Sequence, residues 1–212
     1  MTTIGILGSG RVATALAGKL ASTGHNITIG TRNQTESAAK WAGPAVTFTD
    51  PTEMARTTAI VINCTPGDTS LERLSALKAE LDGKILIDIA NATERGANGM
   101  PGNLCYPNSS LAEHLQQALP NTHVVKTLNT MLFTVIVDPH SLSSHPTAFL
   151  SGNDAAAKTT VTKLLGDLGW PTDWSLDLGD ITTARGTEAL ILLVPHILRT
   201  RGFVPFALTI AK

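Results

Sequence analysis

Six residues near the start of the chain, Gly8-Ser9-Gly10-Arg11-Val12-Ala13, have the types and spacing to cradle a pyrophosphate. Gly8 lets the chain turn sharply out of a strand. Gly10 leaves the backbone bare where two phosphates would lie, and Ala13 is small enough for a helix to pack against that strand. The free N–H groups at the helix start, with the partial positive charge of the helix dipole, suit a dianion. A second group of residues tests which dinucleotide this would be. An NAD enzyme shows Asp or Glu about 20 residues past the glycines, where it binds the ribose hydroxyls. Here Thr31, Arg32 and Asn33 occupy that place, and no Asp or Glu lies between Gly8 and Glu36. A hydroxyl, a charged fork and an amide suit a ribose 2′-phosphate, so NADP is expected in preference to NAD.

Such a turn works only between a strand and a helix. Residues 3–7 read as the strand, Val12, Leu16 and Leu20 mark the helix, and a second strand ends at Gly30. Strands and helices alternate for most of the remaining length. This predicts an α/β chain with a Rossmann-type, doubly wound, mostly parallel sheet, helices on both faces and a small C-terminal α/β extension. The expected division is an NADP-binding domain over residues 1–137 and a small region over residues 138–212 that closes a cleft. Asn33 and Glu36 have the spacing of a helix cap, as do Ser110 and Glu113; Asp68 and Asp154 are also placed to cap helices. Asp68 would start a helix carrying Leu71, Leu74, Leu77 and Leu81. Residues 89–108, rich in Asn and Gly, read as a long functional or mobile loop. Pro171 to Leu176 reads as a short strand. A last helix is expected over residues 183–198, apolar on all sides at residues 189–194, buried in a domain or subunit interface and kinked by Pro195.

In an open α/β sheet, ligands lie beyond the carboxyl ends of the strands. The candidate site is therefore Gly8 to Val12, Thr31 to Asn33, Cys64, Thr65 and Pro66, Ile89, Ala90 and Asn91, and Asn129, Thr130 and Met131. Nothing in the sequence would lower the pKa of Cys64, which reads as a packing residue. Asn91 and Asn129 suit a nicotinamide amide or ribose, or serve only to shape their loops. No acid–base constellation is visible. Hydride transfer between two rings needs mainly alignment, so no catalytic side chain is assigned. A carbonyl reduction would also need a proton donor, for which His196 and Glu188 are the candidates. Arg185 and Glu188, three apart, read as a surface ion pair.

Composition narrows the partners. The 212 residues carry a net charge of −1, with 16 basic and 17 acidic side chains and no basic block, so neither nucleic acid nor a membrane surface is an expected partner. The longest apolar run, residues 189–194, is too short to span a bilayer. Cys64 and Cys105 form no C-x-x-C pair and read as free thiols, and the chain opens on a strand without a visible leader; both set the expectation of a cytoplasmic protein. No Cys/His cluster suggests a metal.

Five segments together carry a resemblance over nearly the whole chain: IGILGSGRVATALAGKLASTGHNITIGTRN, ILIDIANAT, SSLAEHLQQALPNTHVVKTLNTM, FLSGNDAAAKTTVTKLLGDLGW and LGDITTARGTEAL. The chain resembles the coenzyme F420-dependent NADP oxidoreductases and their bacterial relatives. The resemblance implies that Thr31, Arg32 and Asn33 hold the 2′-phosphate and that Asn129, Thr130 and Met131 lie beside the nicotinamide. It also implies a C-terminal region that closes a cleft for the second redox partner, F420 or a flavin, and a homodimer. Two other readings stand beside it: an NADPH-dependent imine or small-carbonyl reductase, and a non-enzymatic NADP-binding sensor. Arg32→Ala is expected to weaken NADPH binding far more than NADH binding. Titration of both cofactors checks this, and equal losses would mean that Arg32 does not contact the extra phosphate.

Overall fold

The computed structural model describes residues 2–96 and 99–210. Eight strands form one sheet, and its central four are buried along nearly all their length: β1 (Thr3–Leu7), β4 (Ile60–Asn63), β5 (Ile85–Asp88) and β8 (His123–Lys126). Runs such as Ile60-Val61-Ile62 are apolar on successive residues because helices cover both faces. With β2 (Asn26–Gly30) and β3 (Thr47–Thr49), the order of the parallel part is β3-β2-β1-β4-β5-β8, the doubly wound arrangement. Beyond β8 the direction reverses. β9 (Ala148–Ser151) meets it antiparallel through Lys126 and Ser151, and β10 (Ser175–Gly179) runs parallel to β9.

Register places the strand ends in one row. Leu7 is opposite both Gly30 and Asn63, Asn63 is opposite Asp88, and Asp88 is opposite Lys126. The loops that follow therefore leave from one edge. Helix α1 (Arg11–Ser22) buries Leu16 and Leu20 on one face of the sheet, with Val161 and Leu165 of α7 (Ala155–Asp167) in the same apolar cluster. The other face packs α3 (Pro51–Thr57), α4 (Gly67–Ser75) and α5 (Leu111–Ala118) through Met54, Leu74 and Leu115. The caps at Ser110 and Asp154 form as expected: each side chain accepts from the backbone N–H three residues on. No helix among the described residues is long and apolar enough to cross a membrane.

Several expectations need correction. The stretch 89–108 is not one open loop, because β6 (Thr93–Arg95) and β7 (Pro101–Leu104) pair antiparallel within it; residues 97–98 lie outside the described residues. Asp68 does not cap α4, which begins one residue earlier; Asp68 instead accepts from Arg95 at 2.9 Å. Leu77 and Leu81 lie in turns past the end of that helix but are buried in the core all the same. Asn33 precedes α2 (Gln34–Ala39) without a side-chain cap. Residues 172–174 form a 3₁₀ turn, and the strand follows it at Ser175. The long last helix is broken into α8 (Ala184–Ala189), a 3₁₀ turn (Leu190–Leu193) and α9 (Val194–Arg201). Pro195 explains the break. It lacks the N–H that would bond the carbonyl four residues back, so the chain tightens before it and a new helix starts there.

Gly67 is the tightest junction between this frame and the loops at its edge. A Cβ there would fall 2.2 Å from the Asn91 carbonyl oxygen. Gly67→Ala is expected to cost about 1–3 kcal/mol, the usual range for overpacking. An unchanged melting temperature would contradict this packing.

Candidate functional site

The glycine turn has the conformation its sequence calls for. Gly8 sits at φ +113°, which disfavours any side chain, and its N–H donates to the Gly30 carbonyl at 2.9 Å. A Cβ on Gly10 would meet nothing within 4 Å, so the turn is open on the side where a pyrophosphate would lie. No side chain caps α1 and no acidic residue stands in its first turn, which leaves its leading N–H groups free for an anion. Arg11 lies over the Phe133 ring at 5.7 Å. Beside the turn, the Ser9 and Thr31 hydroxyls are 3.2 Å apart. Thr31 also accepts from the Asn33 N–H, and the Asn33 amide donates to Glu36 at 3.5 Å. Arg32 is exposed and has no carboxylate partner among the described residues. Arg32, Asn33 and Glu36 line an open shallow hollow. Hydrogen bonding and charge from Lys40 hold the Glu36 carboxyl below its ordinary value.

A cleft of about 280 Å³ lies farther along the same edge. Val12, Cys64, Thr65 and residues 89–91 form one side, and residues 128–133 form its floor. The rest of its lining comes from Leu190, Ile191, Leu193, Val194 and Ile197, with Phe206 and Leu208 of the tail. Among the described residues, no Asp, Glu, His, Lys or Arg lines it. The floor is fixed on both sides. The Asn91 amide donates to the Asn129 carbonyl at 2.8 Å, and the Asn129 amide returns a bond to Asn91 Oδ1 at 2.9 Å. From the tail, Leu208 N–H donates to the Thr130 carbonyl, while Leu132 N–H donates to the Phe206 carbonyl. Just before these ties Leu128 adopts φ +57°, a strained conformation for a branched residue that persists only where its surroundings impose it.

Behind this cleft lies a buried charged network that sequence reasoning missed. Lys126 is 1% exposed, and its ammonium lies 2.8 Å from Asp88 Oδ2 and 2.8 Å from Glu188 Oε1. Its third bond goes to the Ala90 carbonyl. Asp88 Oδ1 accepts from Asn63 at 2.8 Å and from Ala90 N–H at 3.2 Å. Asn63 in turn accepts from the Thr65 hydroxyl at 2.6 Å. Glu188 accepts from Leu111 and Ala112 N–H at the start of α5, at 3.0 and 3.2 Å. Burial alone would drive the Lys126 ammonium down, but the charges of Asp88 and then Glu188, with their hydrogen bonds, carry it above its ordinary value. The available signal was that three adjacent apolar strands end in Asn63, Asp88 and Lys126.

The expected residues therefore divide. Val12, Cys64, Thr65, Ala90, Asn91, Asn129, Thr130 and Met131 meet in one cleft. Ser9 and Asn33 line a separate hollow with Trp41 and Phe48. Pro66 lines neither and instead precedes α4. Arg185 and Glu188 are not paired with each other: Arg185 donates to Glu113, and Glu188 turns inward. Neither Glu188 nor His196 lines the cleft, and the His196 ring meets Arg199.

The family model described as NADP oxidoreductase, coenzyme F420-dependent, matches residues 3–92. A crystal structure of a provisionally named F420-dependent NADP reductase from Arthrobacter sp. FB24 is 39% identical, with a TM-score of 0.92 and all of both chains covered. Metalloreductase STEAP3 of Rattus norvegicus is 30% identical over 96% of this chain and 40% of its own length. The F420-dependent NADP reductase of Methanocaldococcus jannaschii is 28% identical over 64% of this chain and 60% of its own. The chain spans about two fifths of the length of the curated metalloreductases it matches.

Burial, and then the charge of Asp88, push the Cys64 thiol above its ordinary value. Little thiolate forms near neutrality, and the thiolate is the nucleophile. Iodoacetamide at pH 8 is expected to alkylate Cys64 at least about tenfold more slowly in the native protein than in urea. Peptide mass spectrometry checks this, and equal rates would make Cys64 a reactive thiol.

Proposed function

Because this chain belongs to the coenzyme F420-dependent NADP oxidoreductase family, we propose that it is an NADP-dependent oxidoreductase that aligns the nicotinamide with a flat ring acceptor, a deazaflavin such as F420 or a flavin. The bound dinucleotide supplies or receives the hydride at its nicotinamide ring. Gly8 to Val12 hold the pyrophosphate with backbone N–H groups, and Thr31, Arg32 and Asn33 hold the 2′-phosphate. Cys64, Thr65, Pro66, Ala90 and Asn91 follow the cofactor along the sheet edge. Asn129, Thr130 and Met131 lie against the nicotinamide. Residues 1–137 then serve the nucleotide, and residues 138–212 close the acceptor side through Leu190 to Ile197 and Phe206. The homodimer reading is supported by apolar surface near that wall, where Leu192, Leu193 and Phe203 are 44%, 47% and 64% exposed. A reducing cytoplasm suits the two free thiols.

The observation that carries the acceptor class is the uncharged cleft. Reducing an imine or a carbonyl builds basicity on one atom, and such enzymes place an acid within hydrogen-bond reach. Among the described residues no such acid lines this cleft. A flavin or deazaflavin spreads the incoming charge over its ring system and takes its proton from water at the cleft mouth. This favours ring-to-ring transfer over the imine and carbonyl reading, and a walled cleft beside the cofactor favours an enzyme over a sensor.

Stopped-flow oxidation of NADPH is the test, with F420, FMN, FAD, a quinone and ferric chelates offered separately. Turnover with F420 or a flavin, one acceptor reduced per NADPH, is expected. Turnover confined to the ferric chelates or the quinone, or none at all, would overturn this acceptor class.

A further inference from the structure

The buried charges do no chemistry in the proposed reaction, and as a stabilising device they are poor. Desolvating ions costs several kcal/mol each, and well-packed apolar side chains commonly do as well or better. Their geometry, in contrast, is specific. The three donors of the Lys126 ammonium meet three acceptors: Asp88 and the Ala90 carbonyl at the end of β5 and in the loop that leaves it, and Glu188 on α8. Ala90 is itself part of the cleft wall. Through Asp88 and Asn63 the same chain of bonds reaches Thr65, also on that wall. On the other side, Glu188 sits in α8 just before Leu190 and Ile191, which also line the cleft. One ammonium thus stands between the two walls that would hold the two rings.

Resting on the reading above, we propose that Lys126 is a positioning residue. It sets the spacing between the nicotinamide-side wall at Ala90 and the acceptor-side wall that continues from Glu188. The position of the charge fits this role. Placed behind the Ala90 backbone, it orients the wall without touching either ring. Glu188 is anchored independently on the N-terminus of α5, so the ammonium is the link between two already rigid parts rather than the support of either. Small errors in such a link matter, since a misplacement of about 1 Å far from the chemistry can cost about 100-fold in rate.

The clearest variant is Asp88→Asn with Lys126→Met. It removes one positive and one negative charge together, leaves Glu188 on α5, and keeps an acceptor for Asn63. Three readings are taken on the full chain: NADPH affinity, the emission of bound NADPH, and kcat with F420 or FMN. NADPH affinity is expected within about threefold of the parent, because the adenosine end is held elsewhere. The emission should move toward that of free NADPH, and kcat should fall about 100-fold. A merely structural role would lower melting temperature without this split. Unchanged emission together with kcat within about threefold of the parent would overturn the proposal. A parent that binds NADPH but reduces neither F420 nor a flavin sinks the acceptor reading alone, and the emission still decides the role of Lys126. If the double variant does not fold, the variant that also carries Glu188→Gln takes its place. Failure of both to fold would make the charges a requirement of the fold and overturn a positioning role.

Discussion

The structure depends on a constraint of direction: six neighbouring strands run parallel and end in register. Gly30, Leu7, Asn63, Asp88 and Lys126 stand side by side across the sheet. Because every strand points the same way, each following loop leaves from one edge. Residues far apart in sequence, such as Leu7 and Asn63, are then neighbours without any further folding device. A glycine turn, a phosphate-sized arginine loop and two asparagine loops are thus laid along one line. The reversal at β9 ends that series, and residues of the chain's last segments line the cleft beside the loops of this edge.

The row of strand ends also explains why charge could enter the core. In a parallel sheet, directly paired residues project to the same face, so Asn63, Asp88 and Lys126 form a polar line under an otherwise apolar layer. An isolated ion there would be driven to neutrality. Three acceptors around the ammonium, and two α5 backbone N–H groups facing Glu188, satisfy it instead. The excess negative charge of the trio sits against the positive end of a helix. This arrangement belongs to four segments at once, which is why no single strand or helix accounts for it.

What was legible in the sequence follows from that distinction. The left-handed Gly8 in the turn after β1, the caps at Ser110 and Asp154, and the doubly wound order depend on neighbours in sequence or on a repeating pattern, and they stand as read. Glu188 was misread because a local rule, the three-residue spacing to Arg185, offered a plausible partner on the same helix. The true partners arrive from β8 and α5. Nothing in Val124-Val125-Lys126 singles the lysine out, since periodicity reports which face a residue occupies and not what waits there. The break before α9 was partly visible: Pro195 announced a kink, but a kink alone did not reveal the full turn of 3₁₀ helix that precedes it. The reciprocal Asn91–Asn129 bonds were invisible because each residue, taken alone, is an ordinary loop former.

Charge is distributed unevenly along the proposed cofactor path, and the unevenness has a physical sense. At the adenosine end Arg32 is exposed, where water weakens its attraction but also spares it a desolvation cost. That suits a contact which must choose one cofactor over another and release it. At the ring end the walls are uncharged and mostly apolar, and the charges are withdrawn behind the backbone. An ionised side chain lining that cleft would favour whichever ring state carried the opposite charge, biasing the transfer in one direction. A neutral cleft leaves the balance to the two rings themselves and to their concentrations. The protein's contribution there reduces to distance and angle, and it is at this point in the fold that rigidity is concentrated, in the strained Leu128, the paired asparagines and the buried ammonium.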